Sequence, residues 1–148
     1  MSEKRLAVIA EARSWIGTPF HFGARIKGTG VDCAQFIAAV FEHCEIFNAD
    51  DYGFFGRDWH FHTDVEHYKM RMVRHALELP LTTQPQPGDV ALVRVGRVFS
   101  HAGIIVEWPM LIHAGPRGVR EVNGEFDPMW IHWDKCFFDP YVKETENV

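Results

Sequence analysis

The chain has 148 residues, enough for one domain around one core. Hydrophobic residues make up 47 % and charged residues 24 %, the balance of a soluble globular protein, and no apolar run approaches transmembrane length. A net charge of −5 without a basic run argues against nucleic-acid binding, and an aromatic content of 14 % suits an aromatic-lined core or groove.

Residues 1–11 are polar and amphipathic, with no apolar h-region, so no signal peptide is expected. Ser2 to Ile16 reads as a first helix, with Leu6, Ile9, Ala10 and Arg13 on one side and Val8, Ala12, Trp15 and Ile16 on the next. Gly17-Thr18-Pro19 ends it, and a glycine-bearing loop runs from Phe20 to Val31. Asp32 is a good N-cap type, and Phe36, Ile37, Val40, Phe41 and Cys44 form one apolar face of a second helix reaching about Phe47.

Asn48 to His62 is irregular and rich in aromatics, the pattern of a functional wall or a mobile segment. Thr63-Asp64-Val65-Glu66 is a capping box that opens a helix to about Leu79, with Val65, Tyr68, Met72 and Ala76 as its apolar stripe. A proline-rich connector, Pro80 to Pro87, follows. The period then changes from 3.6 to 2. Asp89–Val95, Val98–Glu107, Met110–Ala114 and Val119–Val122 read as a meander of antiparallel strands. Asp127-Pro128 signals a short helix through Trp133, and Lys135 to Val142 reads as a closing strand. Helices first and strands second make the fold class α+β, with N-terminal helices packed on an antiparallel sheet in a single domain, 1–148.

Cys33 falls in the first turn of the second helix, where unpaired N–H groups and the helix dipole favour a thiolate. It reads two ways, as a nucleophile or as a small buried hydrophobe. A thiolate nucleophile needs a base and a group that orients the base. Of nine histidines, His101 and His113 lie on adjacent strands joined by a short turn, which sets them roughly across from each other. His101 is then the general base and His113 its orienting partner, and the backbone N–H of Cys33 is an oxyanion donor. Phe20, His21 and Trp59 are candidates for lining a substrate groove.

Three blocks resemble the NlpC/P60 cysteine peptidases. Trp15-Ile16-Gly17-Thr18-Pro19-Phe20 running into Gly28-Thr29-Gly30-Val31-Asp32-Cys33 is similar to that family's approach to its nucleophile. Gln86-Pro87-Gly88-Asp89-Val90-Ala91-Leu92 resembles its strand opening, and Ser100-His101-Ala102-Gly103-Ile104-Ile105-Val106 its histidine strand, with His113 where the family places a third polar residue. The resemblance spans roughly residues 15 to 114. It implies a papain-like fold and cleavage of cell-wall stem peptides, usually between D-glutamate and diaminopimelate or lysine. The wording of the first block looks most like the branch carried on the tails of phages and gene-transfer agents. That implies a tail hub or tip protein as partner, for which the first-helix flank (Glu3, Lys4, Glu11) and the tail from Lys143 are candidate contacts. The chain departs from the family at Phe20, usually a tyrosine whose hydroxyl lies near the nucleophile, and at Ala34, often a serine.

Three readings compete. Zinc ligands from His60, His62 and His67, or from His132 and Cys136, lack a second close pair, so neither metal nor cofactor is expected. A structural tail component of the same fold is the main alternative. A relative that transfers acyl groups between lipids would normally carry a hydrophobic anchor, and no membrane insertion is expected. With an odd number of cysteines (Cys33, Cys44, Cys136) and no CxxC spacing, reduced thiols are the simplest reading, Cys44 and Cys136 being inert.

Overall fold

The computed structural model describes residues 1–47 and 66–142. The chain opens with helix α1 (Glu3–Ser14), capped by the Ser2 hydroxyl, which accepts the Arg5 N–H at 3.3 Å. Its inward stripe is Arg5, Val8, Ile9 and Ala12. Of the apolar residues read onto the helix's two sides, Leu6 is 52 % exposed, and Ile16 is also exposed. Arg5 takes an inward place because two carboxylates await it. Its guanidinium lies 2.9 Å from Asp89 Oδ1 and 3.2 Å from Asp139 Oδ2, and it stacks over the Tyr141 ring.

The loop that follows holds a two-stranded hairpin, β1 (Arg25–Ile26) with β2 (Gly30–Val31), turning through Gly28 at φ +83°. Helix α2 (Cys33–His43) follows directly. Asp32 caps it twice over: one carboxylate oxygen accepts the Gln35 N–H at 2.8 Å and the other the Gly23 N–H at 2.8 Å, which pins the loop to the helix. The apolar face is as the spacing predicts, with Phe36, Ile37, Val40 and Phe41 fully buried. The helix ends at Cys44 rather than near Phe47, because Glu45 turns into the left-handed region at φ 57°.

The aromatic stretch Asn48 to His62, the first three residues of the capping box and the tail from Lys143 lie outside the described residues. The helix expected to run to Leu79 is short: α3 spans His67–Met72, and Leu77–Glu78 form strand β3 instead. Of its stripe, Tyr68, Met72 and Ala76 are buried. The turn at Val73 to His75 frees the chain to pair with the sheet, and that pairing outweighs continued helix.

Strands β4 (Val90–Val95), β5 (Val98–Glu107), β6 (Met110–Gly115) and β7 (Gly118–Asn123) form the meander that the period-2 pattern predicts. Helix α4 (Pro128–Ile131) is capped by Asp127, and β8 (Lys135–Asp139) follows. The sheet order is β3-β8-β4-β5-β6-β7. The closing strand is therefore not an edge: it inserts between β3 and β4, so Cys136 pairs with Leu92 within the core. His132 caps α4 and Cys136 lies on a strand, which removes the helical spacing that a zinc pair needed.

The sheet buries both faces. Val90, Leu92, Ala102, Ile104, Ile112 and Ala114 face the N-terminal helices. Ala91, Val93, Ile105 and Leu111 face the other way, against Trp130 of α4. The result is an α+β molecule with helices packed on an antiparallel sheet.

Candidate active site

The site forms where β5 and β6 part. Their pairing runs from Glu107↔Met110 to Ile104↔Ile112. Ile105 exchanges backbone bonds on the β4 side, donating to Asp89 O at 2.8 Å and accepting from Gly88 N at 2.7 Å. By strand alternation the Ala102 N–H then points to the opposite edge, beyond the last β6 pair. The start of α2 fills that gap. The Cys33 thiol donates to Ser100 O at 3.8 Å, and the N–H groups of Ala34, Ala102 and Cys33 itself act on the sulfur. Cys33 thus sits against the two residues that flank His101.

The Cys33 thiol is pulled two ways. Burial, with a smaller push from the Asp32 carboxylate, raises its pKa to about 12 against the pull of those three N–H groups. Desolvation at this helix end thus opposes the thiolate that the helix terminus favours. Burial also raises Cys136 to about 12 and moves Cys44 upward.

His101 and His113 are each 4 % exposed. They do not stand directly opposite. Continuing the β5–β6 register past Ile104↔Ile112 sets Gly103 across from His113 and Gly115 across from His101, which makes the histidines a diagonal pair. The two glycines let the rings meet. A Cβ on Gly115 would stand 2.7 Å from His113 Cε1, and one on Gly103 would stand 2.8 Å from Leu111 Cδ1 and 3.1 Å from the Trp130 ring. The ring nitrogens His101 Nε2 and His113 Nδ1 are 2.8 Å apart.

A third ring sets the direction of that bond. Trp130 Nε1 lies 3.1 Å from His113 Nδ1, and an indole nitrogen only donates. His113 Nδ1 is therefore an unprotonated acceptor, and its proton is on Nε2. His101 Nε2, bonded to the same nitrogen, must carry a hydrogen, so the basic lone pair of His101 is on Nδ1. Burial holds His113 neutral, lowering its pKa to about 4, with Asp127 opposing and Arg120 assisting. Trp130 is the functional residue that sequence reasoning missed. Its one signal was the Asp127-Pro128 helix start that carries it.

Of the groove candidates, Phe20 bridges to Val31 and is 43 % exposed, and His21 donates its N–H to Val31 O at 3.1 Å. Both lie on the approach to Cys33. Trp59 lies outside the described residues. Among the described residues no three His, Cys, Asp or Glu side chains converge to hold a metal ion, and no helix is long and apolar enough to cross a membrane. Glu11, a candidate docking residue, is occupied within the chain: it accepts from Lys27 Nζ at 2.9 Å and Trp15 Nε1 at 3.1 Å.

A family model described as the NlpC/P60 family matches residues 17–137. The fold is similar to the NlpC/p60 domain of the peptidoglycan hydrolase SagA, at a TM-score of 0.63 and 19 % identity, covering 89 % of this chain and 96 % of that one. It is similar to an NLP/P60 family protein from Staphylococcus aureus, at a TM-score of 0.62 and 20 % identity, covering 93 % of this chain and 41 % of that one. It is also similar to the peptidoglycan hydrolase RipB from Mycobacterium tuberculosis, at a TM-score of 0.58 and 14 % identity, covering 94 % of this chain and 65 % of that one. The chain thus spans nearly all of the SagA domain but less than half of the staphylococcal protein. A comparison with curated proteins gives no match.

Proposed function

The chain belongs to the NlpC/P60 family, and on that footing we propose that it is a cysteine peptidase acting on peptides of the bacterial cell wall. The observation that carries this reading is the chain of rings Trp130–His113–His101, which leaves His101 basic at Nδ1 on the strand that holds the Cys33 thiol. SagA and RipB, both described as peptidoglycan hydrolases, support the substrate class.

In this mechanism substrate binding brings a peptide carbonyl to Cys33. The Sγ proton passes to His101 Nδ1 as sulfur attacks the carbonyl carbon. Burial, which pushes the thiol pKa up, favours coupling this transfer to the attack. The tetrahedral oxyanion is met by the Cys33 N–H, with no hydroxyl from Phe20 to add a second donor. Collapse breaks the C–N bond, and the His101 imidazolium returns its proton to the leaving amine. Water, deprotonated by His101, then cleaves the thioester and restores the thiol. His113 keeps the His101 ring and tautomer in place throughout.

The bond between D-glutamate and a diamino acid is the proposed target, by the resemblance of the Cys33 and His101 blocks. Carriage on a phage-like tail, docked to a hub or tip protein and acting at the wall, rests on the wording of the Gly28–Cys33 block. Phe20, lacking the family's hydroxyl, favours one alternative, a structural tail component with weak hydrolysis.

The deciding experiment is digestion of purified peptidoglycan with mass analysis of the released stem peptides. Cys33→Ala should release none, and His101→Ala should lose more activity than His113→Ala. Equal release by Cys33→Ala and the unaltered chain would end the peptidase reading. No release by the unaltered chain, together with its co-purification with tail particles, would favour the structural one.

A further inference from the structure

Behind His113, on the side away from the sheet's N-terminal helices, lies a cavity of about 250 Å³ between the β6–β7 hairpin and the start of α4. Its charged walls are two arginines and one carboxylate, Asp127. Arg120 is the direct cross-strand partner of His113, which puts both side chains on the same face, and Arg117 stands at the hairpin turn. Among the described residues neither guanidinium has a hydrogen bond or an ion pair.

The third group is His113 itself. Its Nδ1 is committed as an acceptor to Trp130 and His101, so its Nε2 carries the proton. Among the described residues that N–H has no acceptor. It belongs to a side chain that is almost wholly buried and that lines the cavity. Gly115, another wall of the cavity, lies against the Cε1–Nε2 edge: a Cβ there would stand 2.7 and 3.0 Å from those atoms. The missing side chain keeps the space beside Nε2 open. Asp127 caps α4 through Oδ1, accepting the Met129 N–H at 2.9 Å, and its charge acts on His113, so the two guanidiniums must outweigh it for an anion to sit there.

Two guanidiniums that are unpaired among the described residues and a buried N–H donor on one cavity make a carboxylate-binding arrangement. We infer that this cavity is a subsite for a carboxylate of the peptide substrate, held by Arg117, Arg120 and the Nε2–H of His113. The cavity adjoins the approach to the nucleophile. Gly118, part of its wall, is packed so closely on Thr18 that a Cβ would stand 2.7 Å from Thr18 O, two residues before the exposed Phe20. A carboxylate seated there would extend the Cys33–His101–His113 line by one acceptor. It would then strengthen the hold of His113 on His101 only when substrate is bound. The choice of a peptide as ligand rests on the peptidase reading; the anion chemistry of the cavity does not.

The test uses the full chain with Cys33→Ala, which binds without cleaving. It is titrated with N-acetyl-L-alanyl-γ-D-glutamyl-L-lysine as the free acid, with the same peptide amidated at its carboxyls, and with sodium acetate. Affinity is read by calorimetry, and the His113 ring by its nitrogen and N–H resonances. We expect the free acid to bind at least tenfold tighter than the amide and to shift the His113 Nε2–H signal. Arg117→Gln with Arg120→Gln should abolish that preference. Equal affinity for acid and amide, or a preference that survives the double arginine variant, overturns the subsite. So does acetate shifting His113 without any peptide preference, which would mark a site for small free anions. A preference for the acid in a protein whose unaltered form cleaves no stem peptide supports the carboxylate site while removing the peptidase reading.

Discussion

Trp130 decides what His101 can do, although it touches neither a nucleophile nor a substrate. On the proposed peptidase reading it is a positioning residue: its indole N–H makes His113 accept and so places the His101 proton on Nε2. Trp130→Phe keeps the ring and removes the N–H. The variant should fold, yet lose activity by about 10- to 100-fold, because His113 becomes free to populate the other tautomer. The pH–rate profile checks this. Its acidic limb should move in Trp130→Phe, a change that a merely structural role would not produce. His113 also carries a stability prediction. Its folded pKa of about 4 lies below the ordinary 6.5. The neutral form therefore stabilises the fold above pH 6.5, and that contribution is lost as pH falls toward 4. The loss amounts to roughly 3 kcal/mol. Urea midpoints measured between pH 7 and 4 should fall more steeply in the unaltered chain than in His113→Gln, and parallel curves would remove the assignment.

At the scale of elements, the site depends on two strands that separate. The β5–β6 pairing stops at Ile104↔Ile112, and the α2 start docks on the edge this leaves. Gly103 and Gly115 then let two imidazoles lie diagonally within reach of each other. Gly115 does not have a positive φ, so alanine there is not strained by its own backbone. Its Cβ would instead meet His113 Cε1 at 2.7 Å. Gly115→Ala should therefore displace the His113 ring and lower turnover about tenfold or more while costing about 1 kcal/mol of stability. Turnover and denaturation, measured on the same preparation, separate the two effects. Loss of stability with turnover intact would show that the ring has room to move.

Across the whole molecule, Arg5 ties the first helix to both ends of the sheet's centre. It pairs with Asp89 at the opening of β4 and with Asp139 at the end of β8, and it donates to Pro87 O at 2.9 Å. Asp89 is 1 % exposed, and burial raises its pKa even against the Arg5 charge and the Gln86 N–H. Arg5→Met would leave that carboxylate buried without its cation, at a cost of about 3–5 kcal/mol. Adding Asp89→Asn should recover part of the loss. A thermal melt of the single and double variants checks this, and additive losses would mean that the pair is not coupled. The PGD motif therefore has a structural role: its aspartate anchors the N-terminal helix.

What the sequence alone determined is what period and capping chemistry encode. Alternating apolar residues placed β5 at Val98–Glu107 without error, and Asp32 and Asp127 were recognisable as caps because their side chains act on N–H groups two or three residues away. The same local reading put Cys33 at a helix start and two histidines on neighbouring strands. Tertiary structure decided the rest. Nothing local could show that β8 inserts between β3 and β4, since strand order depends on which edges remain unpaired once the meander has formed. Arg5 lies inward while Leu6 is exposed, because a helix's hydrophobic pattern does not reveal two carboxylates waiting opposite it. The desolvation of the Cys33 thiol and the direction of the histidine bond were equally out of reach. Desolvation depends on all the atoms packed around a group, and the indole that fixes His113 arrives from a four-residue helix seventeen positions along the chain.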